Sequence, residues 1–318
     1  RVQIEAFIQV YIGSALIHIM PVGIKAALSG GAYGVQLGIL ADSNSGLAES
    51  STLASVAIMF IPIMLCLRKH SLLIPAKLRT PLYAGLIVVC CVAAVGTYAR
   101  TALIGFFVVG AGMWVRSRHK VGITVLLGIA ALGISFIVSD AWVSRISTIK
   151  APTQESSANT RILVWKWTLN FVETHPLGGG FNSYVVNRIE DVADDGTVLF
   201  VQFGRAFHSI YFEMLGEHGW PGLALFLIIA ATSLLTLRSV MRRTRKVPGL
   251  EWCHTLAGAV QTATLTLLAC GAFIGIGFQP MYWYLFALSV MLSQYVRRVT
   301  SAQAAPRARP EARLARTF

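Results

Sequence analysis

Charged residues are scarce. Only 13% of the 318 residues are Asp, Glu, Lys or Arg, about half the share of an ordinary soluble domain. With 55% hydrophobic residues and a mean hydropathy of +0.64, the shortage excludes a typical soluble domain and a disordered chain. Acid is scarcer than base, 14 residues against 27, which leaves a formal charge of +13. Cysteines number five; they lie in or beside apolar runs, and none falls in the long polar stretch between 140 and 207. A disulfide scaffold is therefore excluded, and no Cys/His spacing suited to a metal is present. No internal repeat is visible. The chain opens on Arg1 with neither an initiator Met nor a secretory signal, and it is expected to be a fragment that starts inside a longer membrane protein without a complete first span.

Long apolar runs are what the chain has instead. A helix needs about 20 apolar residues to cross a hydrocarbon core of roughly 30 Å. The runs Val2–Ile19, Leu47–Leu67, Leu82–Tyr98, Ala102–Val115, Val121–Val138, Pro221–Leu237, Leu256–Phe278 and Met281–Tyr295 are read as spans. The stretch 82–115 would reach about 51 Å as one helix, too long for one crossing. Basic clusters flank it on both sides, Arg68, Lys69, Lys77 and Arg79 before and Arg116, Arg118 and Lys120 after. Two crossings with a turn near Gly96–Thr101 put both clusters on one side of the membrane, and that arrangement is expected.

Eight crossings then alternate consistently. The basic clusters named above, the group Arg238 to Lys246 and the tail from Arg297 share the inner side, while most acidic residues fall outside. Lysine and arginine bias sets orientation in membrane proteins. The surplus of base is thus topological and gives no support for nucleic-acid binding. The expected class is an all-α integral membrane protein of about eight transmembrane helices. Residues 1–139 carry five spans and 140–207 form one sizeable outer segment. Residues 208–298 carry three spans, and 299–318 are a basic, disordered inner tail able to touch anionic lipid.

The outer segment contains an amphipathic helix. Ser156, Ser157, Asn159 or Thr160 can cap it, and Ile162, Trp165, Leu169 and Val172 recur on one face. His175-Pro176 ends it and Gly178-Gly179-Gly180 turns the chain. Trp165 and Trp167 suit a helix at the membrane–water boundary, which can equally be a plain packing helix over the bundle.

A few polar groups have chemical potential. Arg100 sits between two apolar runs; it either reaches the outer headgroups or faces a partner or cavity. Arg161 opens the amphipathic helix, where it is either an ordinary surface charge or a holder of phosphate oxygens. His208 lies where the outer segment meets the next span, and a neutral imidazole there can accept a proton near neutrality; a structural histidine is the alternative. Glu213 and Glu217 share a helix face. They could hold Arg205 or orient His208, or form an exposed acidic patch. Gly178–Gly180 could offer N–H groups to an anion or be a simple turn. Asp194-Asp195 has the form of an acidic metal pair but lies outside, away from nucleotide sugars.

Several strings in order resemble a known family. They are Gly30-Gly31-Ala32-Tyr33, Asp42-Ser43-Asn44, Thr97-Tyr98-Ala99-Arg100, and Ser156-Ser157-Ala158-Asn159-Thr160-Arg161 with Trp165. Then come His175-Pro176-Leu177-Gly178-Gly179-Gly180-Phe181 and the run from His208-Ser209-Ile210-Tyr211 to Glu217-His218-Gly219. Together they resemble the O-antigen ligase and polymerase superfamily, closest to its exosortase-associated O-glycosylation ligases. At Ala99-Arg100-Thr101 the chain departs from the family's usual Ser-Arg-Gly. The resemblance implies a GT-C-like, metal-independent and cofactor-free glycosyltransferase of the bacterial inner membrane, active at the periplasmic face. Such enzymes move a glycan from undecaprenyl diphosphate to a lipid, protein or glycan hydroxyl. It further implies that Arg100 and Arg161 grip the diphosphate and that His208 is the essential histidine, with inversion at the anomeric carbon. Repeat-unit polymerisation by the same chemistry and transport of the lipid-linked glycan are the alternatives.

Overall fold

The computed structural model describes residues 1–29, 47, 49–122, 124, 125, 128, 156–192 and 198–304. Eight α-helices fall in them: α1 Val2–Ser29, α2 Ser50–His70, α3 Ala76–Gly96, α4 Thr101–Arg116, α5 Ser156–Thr174, α6 Ile210–Thr244, α7 Glu251–Gly271 and α8 Pro280–Ala304. Strands β1 (Arg188–Val192) and β2 (Val198–Phe203) pair antiparallel, with Arg188 opposite Phe203. Five helices, α1, α2, α3, α6 and α7, are long and apolar enough to cross a membrane, and α4 is a shorter apolar helix. This is an all-α, multi-pass membrane protein carrying one small hairpin.

Helix α2 is the axis. An all-round apolar helix suits a protein core or a membrane, and α2 takes the core, buried from Thr52 to Met64. It packs against α3, α4 and α7, while α6 and α8 pack on α7 from the other side. The core contains Phe60, Met59, Ile63, Cys90, Leu267 and Tyr282. Phe107, Val88, Ile228 and Leu235 point outward on the rim helices, the positions that lipid would cover. Pro62 and Pro21 lie inside α2 and α1, where neighbouring helices absorb the lost backbone bond.

The expected division of 82–115 is present: α3 ends at Gly96, α4 begins at Thr101, and Tyr98 between them has φ of +54°. Three expectations are corrected. The first helix runs 28 residues, a full crossing rather than a shortened one. The seventh run does not stay helical to Phe278: α7 stops at Gly271, where a Cβ would stand 2.3 Å from the Tyr282 hydroxyl, and residues 272–279 are irregular. The sixth span starts earlier than Pro221, because α6 begins at Ile210 and breaks at Gly219 before continuing. Most of the run Val121–Val138, the strings at Gly30 and Asp42, the pair Asp194-Asp195 and the tail beyond Ala304 lie outside the described residues.

All basic helix ends meet at one end of the bundle. Arg1 bonds the His70 carbonyl at 2.7 Å and lies over the Trp252 ring at 5.1 Å. Glu5 accepts the Ser71 hydroxyl and the Leu72 and Leu73 N–H groups, pinning the α2–α3 turn to α1. The opposite end carries α5, the hairpin, the α3–α4 break and the 272–279 segment.

Candidate active site

His208 stands two residues before α6 with φ of +50°, a conformation few non-glycine residues adopt. The chain on both sides of it is tied down. Trp165 of α5 donates its indole N–H to the Phe207 carbonyl at 2.9 Å and stacks on Phe212 at 5.0 Å. The Phe207 ring rests against Gly216, where a Cβ would come within 2.3 Å of it. Upstream, the fully buried Asn187 takes both backbone groups of Arg205, giving to its carbonyl at 2.6 Å and accepting its N–H at 2.9 Å. A strained residue persists only when its surroundings over-determine it, and such residues concentrate at functional sites.

The imidazole of His208 is half-buried. Burial, then the Arg161 and Arg205 guanidinium groups, hold its pKa below the ordinary 6.5, so the neutral ring prevails at neutral pH. That is the form able to take a proton.

Arg161 lies in the second turn of α5, which starts at Ser156. It is within electrostatic reach of His208 and also of Glu49, the residue preceding α2. Arg100 is the N-cap of α4. Its neighbour Thr101 bonds the Ser51 carbonyl at 3.5 Å, and the Thr101 carbonyl accepts the Cys270 thiol. Arg100 thus sits where α2, α4 and α7 meet, one helix end from Glu49 and hence from Arg161. The two arginines and His208 share one end of the bundle.

Residues 85–227 match the family described as O-antigen ligase, and residues 1–72 match one described only as a family of unknown function (DUF5935). The match over residues 85–227 supports the O-antigen ligase and polymerase superfamily. No curated protein matches it. The O-antigen ligase region contains the α3–α4 break, α5, the hairpin and the first half of α6, so Arg100, Arg161, Arg205, His208, Glu213 and Glu217 all lie within it. Glycan transfer of the ligase or polymerase kind is the activity that this family carries.

Within the ligase region, three sequence-level roles change. Glu217 neither holds Arg205 nor orients His208: it is buried, and its Oε1 accepts the Asn182 N–H at 2.8 Å. Glu213 accepts the Gly277 N–H through Oε2 at 2.8 Å, so it fixes the 272–279 segment. The glycines are not an anion nest. Gly178, Gly179 and Gly180 donate to His175, Gly216 and Glu217 carbonyls at 2.8, 2.9 and 2.9 Å, which leaves no N–H for a phosphate. They splice the turn into the break of α6, and Trp220 returns a bond to the Pro176 carbonyl. The contact is so close that a Cβ on Gly219 would stand 2.0 Å from that carbonyl oxygen.

The buried face of α5 also differs from expectation. Thr160, Val164, Thr168 and Val172 face inward at four-residue spacing, while Ile162 and Leu169 are exposed. Of the expected apolar stripe, Ile162 and Leu169 face away from the protein, whereas Val172 is buried and Trp165 turns inward to hold the His208 segment. Val164 joins Ile189 of β1 and Phe207 in a small second core. Glu49 and Asn187 were not anticipated. An acid directly before an apolar run was the available signal for Glu49; nothing in the sequence pattern marked Asn187.

Proposed function

We propose that the protein transfers a glycan from undecaprenyl diphosphate to an acceptor hydroxyl, with inversion, at the periplasmic face of the bacterial inner membrane. The observation that carries this reading is the His208 imidazole, held neutral in a strained backbone conformation with the Arg161 guanidinium in reach. His208 takes the proton of the acceptor hydroxyl as its oxygen attacks the anomeric carbon. The bond from that carbon to the phosphate oxygen breaks, and its electron pair leaves with undecaprenyl diphosphate. Arg161 and Arg100 stabilise the departing charge; arginine–phosphate bonds are charge-assisted and often bidentate, each contributing about 1.5–3 kcal/mol. Two such groups supply the cationic stabilisation that a metal ion provides in other sugar transferases.

The basic end, by the positive-inside rule, faces the cytoplasm, which puts His208 on the outer side with the lipid-linked donor. The strings around His208 favour the exosortase-associated O-glycosylation branch of the superfamily.

The test is His208→Ala in cells that carry the native pathway. Transfer is expected to stop while carrier-linked glycan accumulates and the protein remains in the membrane at its normal level. Unchanged glycoconjugates in that strain remove the catalytic assignment, and retention of anomeric configuration in the product removes the single-displacement mechanism.

A further inference from the structure

Beside the His208 segment, and separated from it by Gly275, an open cleft of about 750 Å³ enters the same end of the bundle. Its walls come from α1, Leu47 ahead of α2, Glu213 of α6 and the irregular segment that runs into α8. Polar groups face it from several elements: Ser14 and His18 on α1, Glu213, and Gln279. Between them stand apolar surfaces, Leu47, Ile276 and the part-exposed ring of Phe278. The size falls within the roughly 300–1,000 Å³ of small-ligand sites, which combine apolar walls with a few convergent polar groups.

The chemistry of the lining selects the ligand class. Glu213 uses Oε2 for the Gly277 N–H; among the described residues its other oxygen has no hydrogen-bond partner. A carboxyl group exchanges hydrogen bonds with hydroxyls and offers a diphosphate no cation. Covering its open oxygen with hydrocarbon would desolvate a polar group without compensation. A flat aromatic ring such as Phe278 suits the C–H face of a pyranose. Gly275 ties the cleft to the chemistry, because a Cβ there would lie 3.7 Å from both the His208 amide nitrogen and Glu213 Oε2. Neither Arg100 nor Arg161 is among the residues that line the cleft.

We propose that this cleft is a glycan subsite, holding a neutral, hydroxyl-rich sugar ring through Glu213 and His18 next to the reacting centre. The inference rests on the glycosyl-transfer reading above and deepens it. The ring belongs either to the donor glycan or to the acceptor; the chemistry is the same, and the experiment separates them.

The exposed Ser14 is replaced by cysteine in the purified full chain, whose five native cysteines are all buried or half-buried. The rate of Cys modification by a small maleimide reads access to the cleft. Three probes are compared: the oligosaccharide released by mild acid from the host's carrier lipid, the acceptor glycoconjugate isolated from a strain without this gene, and undecaprenyl diphosphate without sugar. One of the first two is expected to slow labelling at least tenfold at saturation, which identifies the source of the ring. Glu213→Gln and His18→Ala are each expected to raise the half-protecting concentration about tenfold. Protection by the sugar-free carrier alone, by none of the probes, or equally in both variants overturns the subsite. Loss of transfer in His208→Ala without any glycan protection sinks the subsite and leaves the catalytic reading standing; protection with continued transfer in His208→Ala does the reverse.

Discussion

The two ends of the helical bundle solve different problems. At the basic end the helices are joined by short turns, Ser71–Pro75 between α2 and α3 and Arg245–Leu250 between α6 and α7, and the charges are used locally. Glu5 gathers three donors of the first turn, and Arg116 bonds Thr262 and Gln261 of α7. At the other end lie the helix breaks and every non-glycine residue with positive φ among those described, Tyr98, Asn182 and His208. One end spends its polar groups on holding helices together. The other keeps a strained histidine, arginines and a cleft in place, and accepts a less regular backbone to do so. A strained histidine with two arginines in electrostatic reach at one end, and short charged turns at the other, is the contrast between them.

Paired substitutions can break that contrast. The largest effect is expected at the histidines: His208→Ala lowers transfer by about 10²–10⁴, whereas His70→Ala at the basic end leaves the transfer rate per folded molecule unchanged. Equal losses in both would erase the distinction. Next comes Gly219→Ala, which places a Cβ against the Pro176 carbonyl at a φ of +64°; a stability loss of about 3 kcal/mol or more is expected, seen as a lowered unfolding temperature in detergent. Arg161→Ala is expected to cost about 10–100-fold in transfer, with Arg161→Lys recovering only part of it, since a lysine keeps the charge but loses the planar fork.

The contrast is sharpened by pH. The folded protein holds His208 below 6.5, so it favours the neutral form relative to the unfolded chain. Its contribution to stability is full above the unfolded value and is lost as pH falls through the lowered one. Activity follows the same direction: it persists on the acid side of 6.5 and then declines as the ring takes up a proton. Removing positive charge with Arg205→Gln is expected to move that acid limb upward, a modest shift because the Arg205 side chain is exposed. A limb that stays in place would show that burial alone sets the imidazole. The smallest effect on function is assigned to Glu5→Gln, which loosens the α2–α3 turn by about 1–3 kcal/mol and leaves transfer by the folded protein intact.

The helices were legible because a hydrocarbon core demands long uninterrupted apolar runs, and the α3–α4 break was legible because lysines and arginines on both flanks had to share one side. What failed was local. Composition cannot separate helix from apolar loop inside a membrane, so the stop of α7 at Gly271 was hidden in a run that stays apolar to Phe278. The face of α5 was misread in part, at Ile162 and Leu169, because these are as apolar as the buried Val164; Val172 was placed correctly, and the buried threonines Thr160 and Thr168 show which stripe is covered. The hairpin went unseen because Arg188, Glu190 and Asp191 make β1 too charged to read as a strand. Placement of His208, Arg100 and Arg161 at one end follows from topology, whereas the roles of Glu213 and Glu217 depend on backbone partners that no spacing rule names.

The splice between Gly178–Gly180 and the break in α6 bears on how substrates come and go. A turn riveted by three main-chain bonds to a membrane helix cannot swing as an independent flap. Lifting it requires the upper half of α6, and His208 with it, to travel as one block. Traffic of a long-tailed molecule past this doorway is thus governed by the gaps between fixed posts and not by a hinged gate.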